Sequence, residues 1–102
     1  MIYHVTGRSN WLDAVSKGYY EAASLPMEGF IHASHSEQVK GVLERYYRGQ
    51  KDLLLLHIDE SRLQAELKNE LSLSVHEVFP HIYGPLNIDA VVRVEEIIQH
   101  TL

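Results

Sequence analysis

Between Phe79 and Asn87 the chain reads Phe-Pro-His-Ile-Tyr-Gly-Pro-Leu-Asn, the stretch that most narrows what the rest can fold into. Proline fixes φ and removes an N–H donor, so Pro80 and Pro85 bar this segment from a helix, while Gly84-Pro85 favours a turn. The segment reads as a stiff loop over 79–87. Wherever its backbone is extended, His81 and Tyr83 project to one side and Ile82 to the other. A polar pair is thereby displayed to a small ligand, and the remaining chain is read as the frame that holds it.

That frame alternates strands and helices. Residues 1–6 read as a strand, with Tyr3 and Val5 on one side and Ile2, His4 and Thr6 on the other. Asn10 is a good N-cap for a helix over 11–17 that Gly18 ends, and Pro26 and Gly29 suit a turn over 25–29. A second strand over 29–34 puts Phe30, His32 and Ser34 on one face. Ser34 and Glu37 have capping-box spacing, and Val39, Val42, Leu43, Tyr46 and Tyr47 recur with helical period before Gly49. The continuous apolar run Leu53 to Ile58 predicts a central strand covered on both faces. Asp59 can cap a short helix carrying Leu63 and Leu67; Leu71 to His76 alternates as a half-exposed strand; residues 90–95 are β-branched and read as a last strand, with Ile97 and Ile98 continuing the core. Alternating, mixed-polarity strands favour antiparallel pairing, hence an α+β fold within a single domain over residues 1–102.

Composition removes several function classes. Lys+Arg 9 against Asp+Glu 14 leaves a net charge of −5, against the cationic footprint that extensive nucleic-acid contact requires. Without cysteine there is no thiolate nucleophile or thiolate metal ligand. No apolar run is long enough to span a membrane and the first residues do not resemble a leader, so a cytoplasmic protein is expected, its oligomeric state left open. The glycines form no GxGxxG or Walker pattern.

Seven histidines are the chemical anomaly. His4, His32 and His81 lie beside aromatic or apolar residues on predicted strands or in the proline-fixed segment, where a rigid backbone can place an imidazole; His35, His57, His76 and His100 lack that setting. His76-Glu77 to His81 fails as a zinc motif, since its second histidine is one residue late and Pro80 breaks the required helix. Convergence of His4, His32 and His81 leaves a metal hydrolase as an alternative, with no metal site assigned. Ser34 sits between two histidines without a nucleophile elbow, and the capping box accounts for it better. Arg45 to Arg48 is explained by the helix end rather than by phosphate binding. Of the carboxylates, Glu70 and Glu77 bracket the strand ahead of the His-Tyr segment, and Glu70 is the preferred catalytic candidate.

Tyr3-His4-Val5-Thr6, Gly29-Phe30-Ile31-His32-Ala33-Ser34, Glu70 and Phe79 to Leu86 together resemble domain-of-unknown-function family 952, over nearly the whole chain. That resemblance implies an ADP-ribosyltransferase-like split sandwich of two mostly antiparallel sheets with short flanking helices. It also implies a ribose contact from the first strand, where Tyr3-His4-Val5-Thr6 fits the pattern. NAD is then the candidate substrate or ligand. The expected site comprises Glu70 and His81 as catalytic residues with His4, Thr6, His32, Ser34 and Tyr83 binding the ligand; the first alternative is a noncatalytic ligand-sensing or protein-interaction module, ahead of the metal hydrolase.

Overall fold

The structure, a computed structural model, describes residues 1–98; His100 lies outside them. The alternating first residues form strand β1 (Ile2–Gly7), which runs straight into helix α1 (Arg8–Lys17), earlier than Asn10 would start it. Gly18 ends α1 as expected: in a left-handed conformation at φ 99° it donates its N–H to Ala14 O at 2.8 Å. Strand β2 (Tyr19–Tyr20) follows. The turn expected over 25–29 is instead helix α2 (Ser24–Glu28), which accepts Pro26 because first-turn N–H groups have no helical acceptor.

Strand β3 is only Ile31–His32, shorter than 29–34, and Ser34 adds a separate bridge to Tyr3. A 3-10 turn over 36–38 leads into helix α3 (Val39–Tyr46). The cap is displaced by one residue: Gln38 Oε1 accepts from His35 N at 2.9 Å, so Ser34 does not cap this helix. Strand β4 (Leu53–Ile58) is central, as its apolar run predicts, with Leu53, Leu54, Leu56 and Ile58 buried. Asp59 accepts from Ser61 N at 3.0 Å, but the helix it caps is a 3-10 turn over 60–62.

The greatest departures from expectation follow. Leu67 belongs to strand β5 (Glu66–Ser72), not to a helix, and residues 73–76 form a turn closed by His76 N to Ser72 O at 2.8 Å. The strand read at 71–76 was displaced because Leu71-Ser72-Leu73-Ser74 keeps alternating into the turn, where Leu73 is exposed. The loop over 79–87 is mostly strand: β6 (Glu77–Tyr83) and β7 (Leu86–Asn87) leave only Gly84-Pro85 between them. Strand β8 (Val91–Ile97) closes the described chain; Ile98 is exposed rather than part of the core.

Proline in a central strand needs a reason, because β6 lies between β3 and β5. Pro80 pairs with Asn69 of β5, and its carbonyl accepts from Ala33 N at 3.0 Å. In an antiparallel ladder N and O of one residue face the same neighbour, so the missing N–H faces Ala33. There the β3 ladder ends, directly after the His32–His81 pair. The proline terminates pairing at a place where the chain turns away.

The first sheet has the order β1-β4-β8, the second β3-β6-β5, and β2 with β7 makes a small ribbon; every pairing is antiparallel. The two larger sheets meet at Tyr3 and Ser34, which exchange N–H···O bonds of 2.8 and 2.7 Å. Ile2, Leu54, Leu56 and Ile58 from the first sheet pack with Ile31 and Ile82 from the second, closed by Trp11, Ala14, Leu86 and Ala90. The fold is α+β, built from antiparallel sheets and short helices. Among the described residues no helix is long and apolar enough to cross a membrane.

Candidate functional site

Strand alternation sends Ile31 and Ile82 to the core and leaves their neighbours His32 and His81 on the opposite face, directly paired across β3 and β6. His4, on β1, reaches the same place from beside the Tyr3–Ser34 junction. All three imidazoles border one cavity of ≈ 570 Å³. Phe30 and Phe79 add aromatic walls, and Val42 and Tyr46 of α3, with Tyr47 just past its end, close another side. Val42 and Tyr46 of the α3 apolar stripe thus face this cavity, and no residue of α3 is fully buried.

His4 is held from behind. Its Nδ1 lies 2.5 Å from His32 O, and a carbonyl only accepts, so Nδ1 carries the hydrogen. Burial pushes its pKa down to about 4, so at neutral pH the ring is uncharged and Nε2 is a bare acceptor. Nε2 lies 2.8 Å from Tyr20 Oη, which is itself 3.0 Å from Thr6 Oγ1. The single phenolic hydrogen of Tyr20 lies between the bare Nε2 of His4 and Thr6 Oγ1, and the hydroxyl bridges the two. Thr6 thus supports His4 at second hand and does not border the cavity.

His81 is held differently. Its Nδ1 is 2.8 Å from Glu70 Oε1, and Tyr83 donates its hydroxyl to that same oxygen at 2.5 Å. These hydrogen bonds, first from Tyr83 and then from His81, hold the Glu70 pKa below the ordinary carboxylate value, so the group is an anion that only accepts. The Tyr83 hydroxyl is correspondingly pushed up by its bond to Glu70. Phe30 stacks on the His81 ring with centroids 4.0 Å apart and planes 19° apart, fixing its tilt. His32 stands edge-on to His81 at 5.4 Å and pairs its own Nε2 with Glu28 Oε2 at 2.9 Å.

His4, His32, Ser34 and His81 thus line the cavity, Glu70 and Tyr83 hold His81 from the side, and Thr6 holds His4 through Tyr20. Ser34 Oγ has no hydrogen-bond partner among the described residues and is not sealed from solvent, so it is available to a ligand. Glu77 is turned to Gln38 Nε2 at 3.2 Å. Among the described residues no group of three or more histidine or acidic side chains is arranged to hold a metal, and both His4 nitrogens are already engaged. Sequence reasoning missed Tyr20, Phe30, Glu28 and Phe79. Phe30 and Phe79 were visible, since each shares a strand face with a chosen histidine; Tyr20 and Glu28 carried no periodic signal.

Solved structures share this architecture. The crystal structure of protein CC0527 from Caulobacter crescentus is 36% identical, with a TM-score of 0.83 over 91% of this chain and 82% of that one. The solution structure of the same protein is 35% identical, with a TM-score of 0.80 over 93% and 82%. No curated protein matches the chain. The family described as "Protein of unknown function (DUF952)" matches residues 5–94, and with nearly the whole chain covered the protein belongs to it.

Proposed function

We propose that the domain is an ADP-ribosyltransferase-like split sandwich that takes up NAD or a related ribonucleotide, its ring-and-ribose end entering the cavity. The observation that carries this reading is the convergence of His4, His32 and His81, from separate strands, on one ≈ 570 Å³ cavity with aromatic walls. That volume suits a small ligand, aromatic walls suit a planar ring, and Ser34 Oγ with the outward imidazole nitrogens suits ribose hydroxyls. Among the described lining residues there is no lysine or arginine, and Glu28 supplies an anion. A cationic nicotinamide ring is favoured there, while a diphosphate is better placed outside.

Thermal denaturation in the presence of NAD, nicotinamide riboside and ADP-ribose tests the reading. NAD at about 100 times its Kd should stabilise the protein by about 2.7 kcal/mol, raising Tm on the order of 10 °C. Nicotinamide riboside should also stabilise, and ADP-ribose, lacking the cationic ring, should do so less. Equal or absent shifts with all three would sink the proposal.

A further inference from the structure

We propose that Glu70 and Tyr83 make His81 the proton acceptor of the cavity, the base that deprotonates water as it attacks the glycosidic carbon of the bound ribonucleotide; this rests on the ligand reading above. Glu70 is then a positioning residue, acting through the imidazole rather than on the ligand.

The geometry carries the assignment. Glu70 Oε1 accepts the Nδ1 hydrogen of His81 at 2.8 Å, which leaves Nε2 as the nitrogen bearing the lone pair when the ring is neutral. Among the described residues no buried side-chain nitrogen or oxygen lacks a partner, and His81 Nε2 has none there, so this atom is open to solvent although His81 as a whole is 8% exposed. His81 borders the cavity, and with Nδ1 held on Glu70 we take the exposed Nε2 to face it. Phe30, stacked on the ring, restricts its rotation. Glu70 and Tyr83 do not border the cavity, whereas His81 does. A carboxylate that fixes tautomer and tilt while an imidazole faces the reactants is a general-base arrangement. The charged and titratable groups around the ring are Glu70 and Lys68 on β5, Tyr83 on β6, and His32 on β3 with its partner Glu28.

In the step itself, the O–H bond of water breaks and its proton passes to Nε2. The oxygen's electron pair forms the new bond to the anomeric carbon as the glycosidic C–N bond breaks. The departing pair stays on the ring nitrogen, so a nicotinamidium leaves as neutral nicotinamide. The imidazolium then returns its proton to solvent.

Two measurements on the full chain separate this inference from the ligand reading. Imidazole ¹H–¹⁵N correlation spectra should find neutral His81 protonated on Nδ1 and bare on Nε2, and Glu70→Ala should shift the ring toward the Nε2–H tautomer. Turnover of NAD to nicotinamide, followed in parallel, should fall about 100-fold or more in His81→Ala. Added imidazole should restore part of it, and Glu70→Ala should lower kcat with KM changed less than about twofold, the mark of a group that does not touch substrate. His81→Gln, which keeps more of the side-chain volume, serves if the alanine variant does not fold. An Nε2–H tautomer in the wild type, or a tautomer indifferent to Glu70→Ala, overturns the inference whatever the ligand. Turnover retained in both His81 variants overturns it as well. Wild-type protein that shows no turnover and no binding of NAD defeats the ligand reading, and the glycosidic step with it.

Discussion

His4 illustrates how a residue that sequence analysis selects for ligand contact can be committed to the protein first. Its Nδ1 is spent on His32 O and its Nε2 on Tyr20, so the ring ties β1 to β3 and β2 while one edge borders the cavity. This makes stability depend on pH with a definite sign. The folded pKa, about 4, lies below the unfolded value of 6.5, so between them the unfolded chain binds more protons. Stability should therefore fall as pH drops from about 6.5 to about 4 and take no further loss from this group below that. At about 1.36 kcal/mol per unit the loss is on the order of 3 kcal/mol. Urea melts of wild type and His4→Gln across this range check it: the difference between the two proteins should shrink on acidification, and a constant difference would refute the assignment. His4, His32 and His81 were legible as a set because each stood where a rigid backbone could aim it, the first two on strand faces and His81 in the proline-fixed segment. Their partners were not: Tyr20 lies in a two-residue strand too short to show a period, and the Glu70–His81 bond depends on a cross-strand register that alternation alone leaves free.

At the level of elements, β1, α1 and α3 were readable to within a few residues from periodicity and the glycines that follow them, β4 from its continuous apolar run and β8 from its β-branched residues. The β5–β6 hairpin was not. Its turn continues the strand pattern, and its second strand contains a proline that local rules assign to a loop, tolerated only because the β3 ladder ends opposite it. The true break is Gly84, where φ is 155° and an added Cβ would lie 3.0 Å from Ala65 Cβ. Gly84→Ala should cost about 1–3 kcal/mol in chemical denaturation; an unchanged midpoint would mean that this turn relaxes freely. Helix α3 is the converse case, correctly located, although an apolar stripe does not say whether protein or ligand covers it. Tyr46, 57% exposed, should be replaceable by alanine within about 0.5 kcal/mol of wild-type stability, yet the variant should lose part of the ligand-induced rise in Tm. A large fall in stability with the ligand response intact would make Tyr46 a packing residue instead.

Over the whole molecule, alternating strands of mixed polarity were enough to indicate an α+β protein with antiparallel sheets, while the meeting of those sheets at Tyr3 and Ser34 required a backbone pairing between residues distant in the chain. The pairing of Ile2 with Ile58 has the same long-range character, and it bears on how quickly the chain reaches this fold. The β5–β6 hairpin closes a short loop, an event of about 1–10 μs, whereas β1 and β8 must each find β4 across a long stretch of chain. In stopped-flow refolding, Leu67→Ala in the hairpin should mainly slow folding, and Ile2→Val should mainly accelerate unfolding. The opposite partition would place the first sheet in the nucleus. If the hairpin does form early, Glu70, His81 and Tyr83 are brought together before the cavity they serve exists, and docking of β1 is the late event that carries His4 to them.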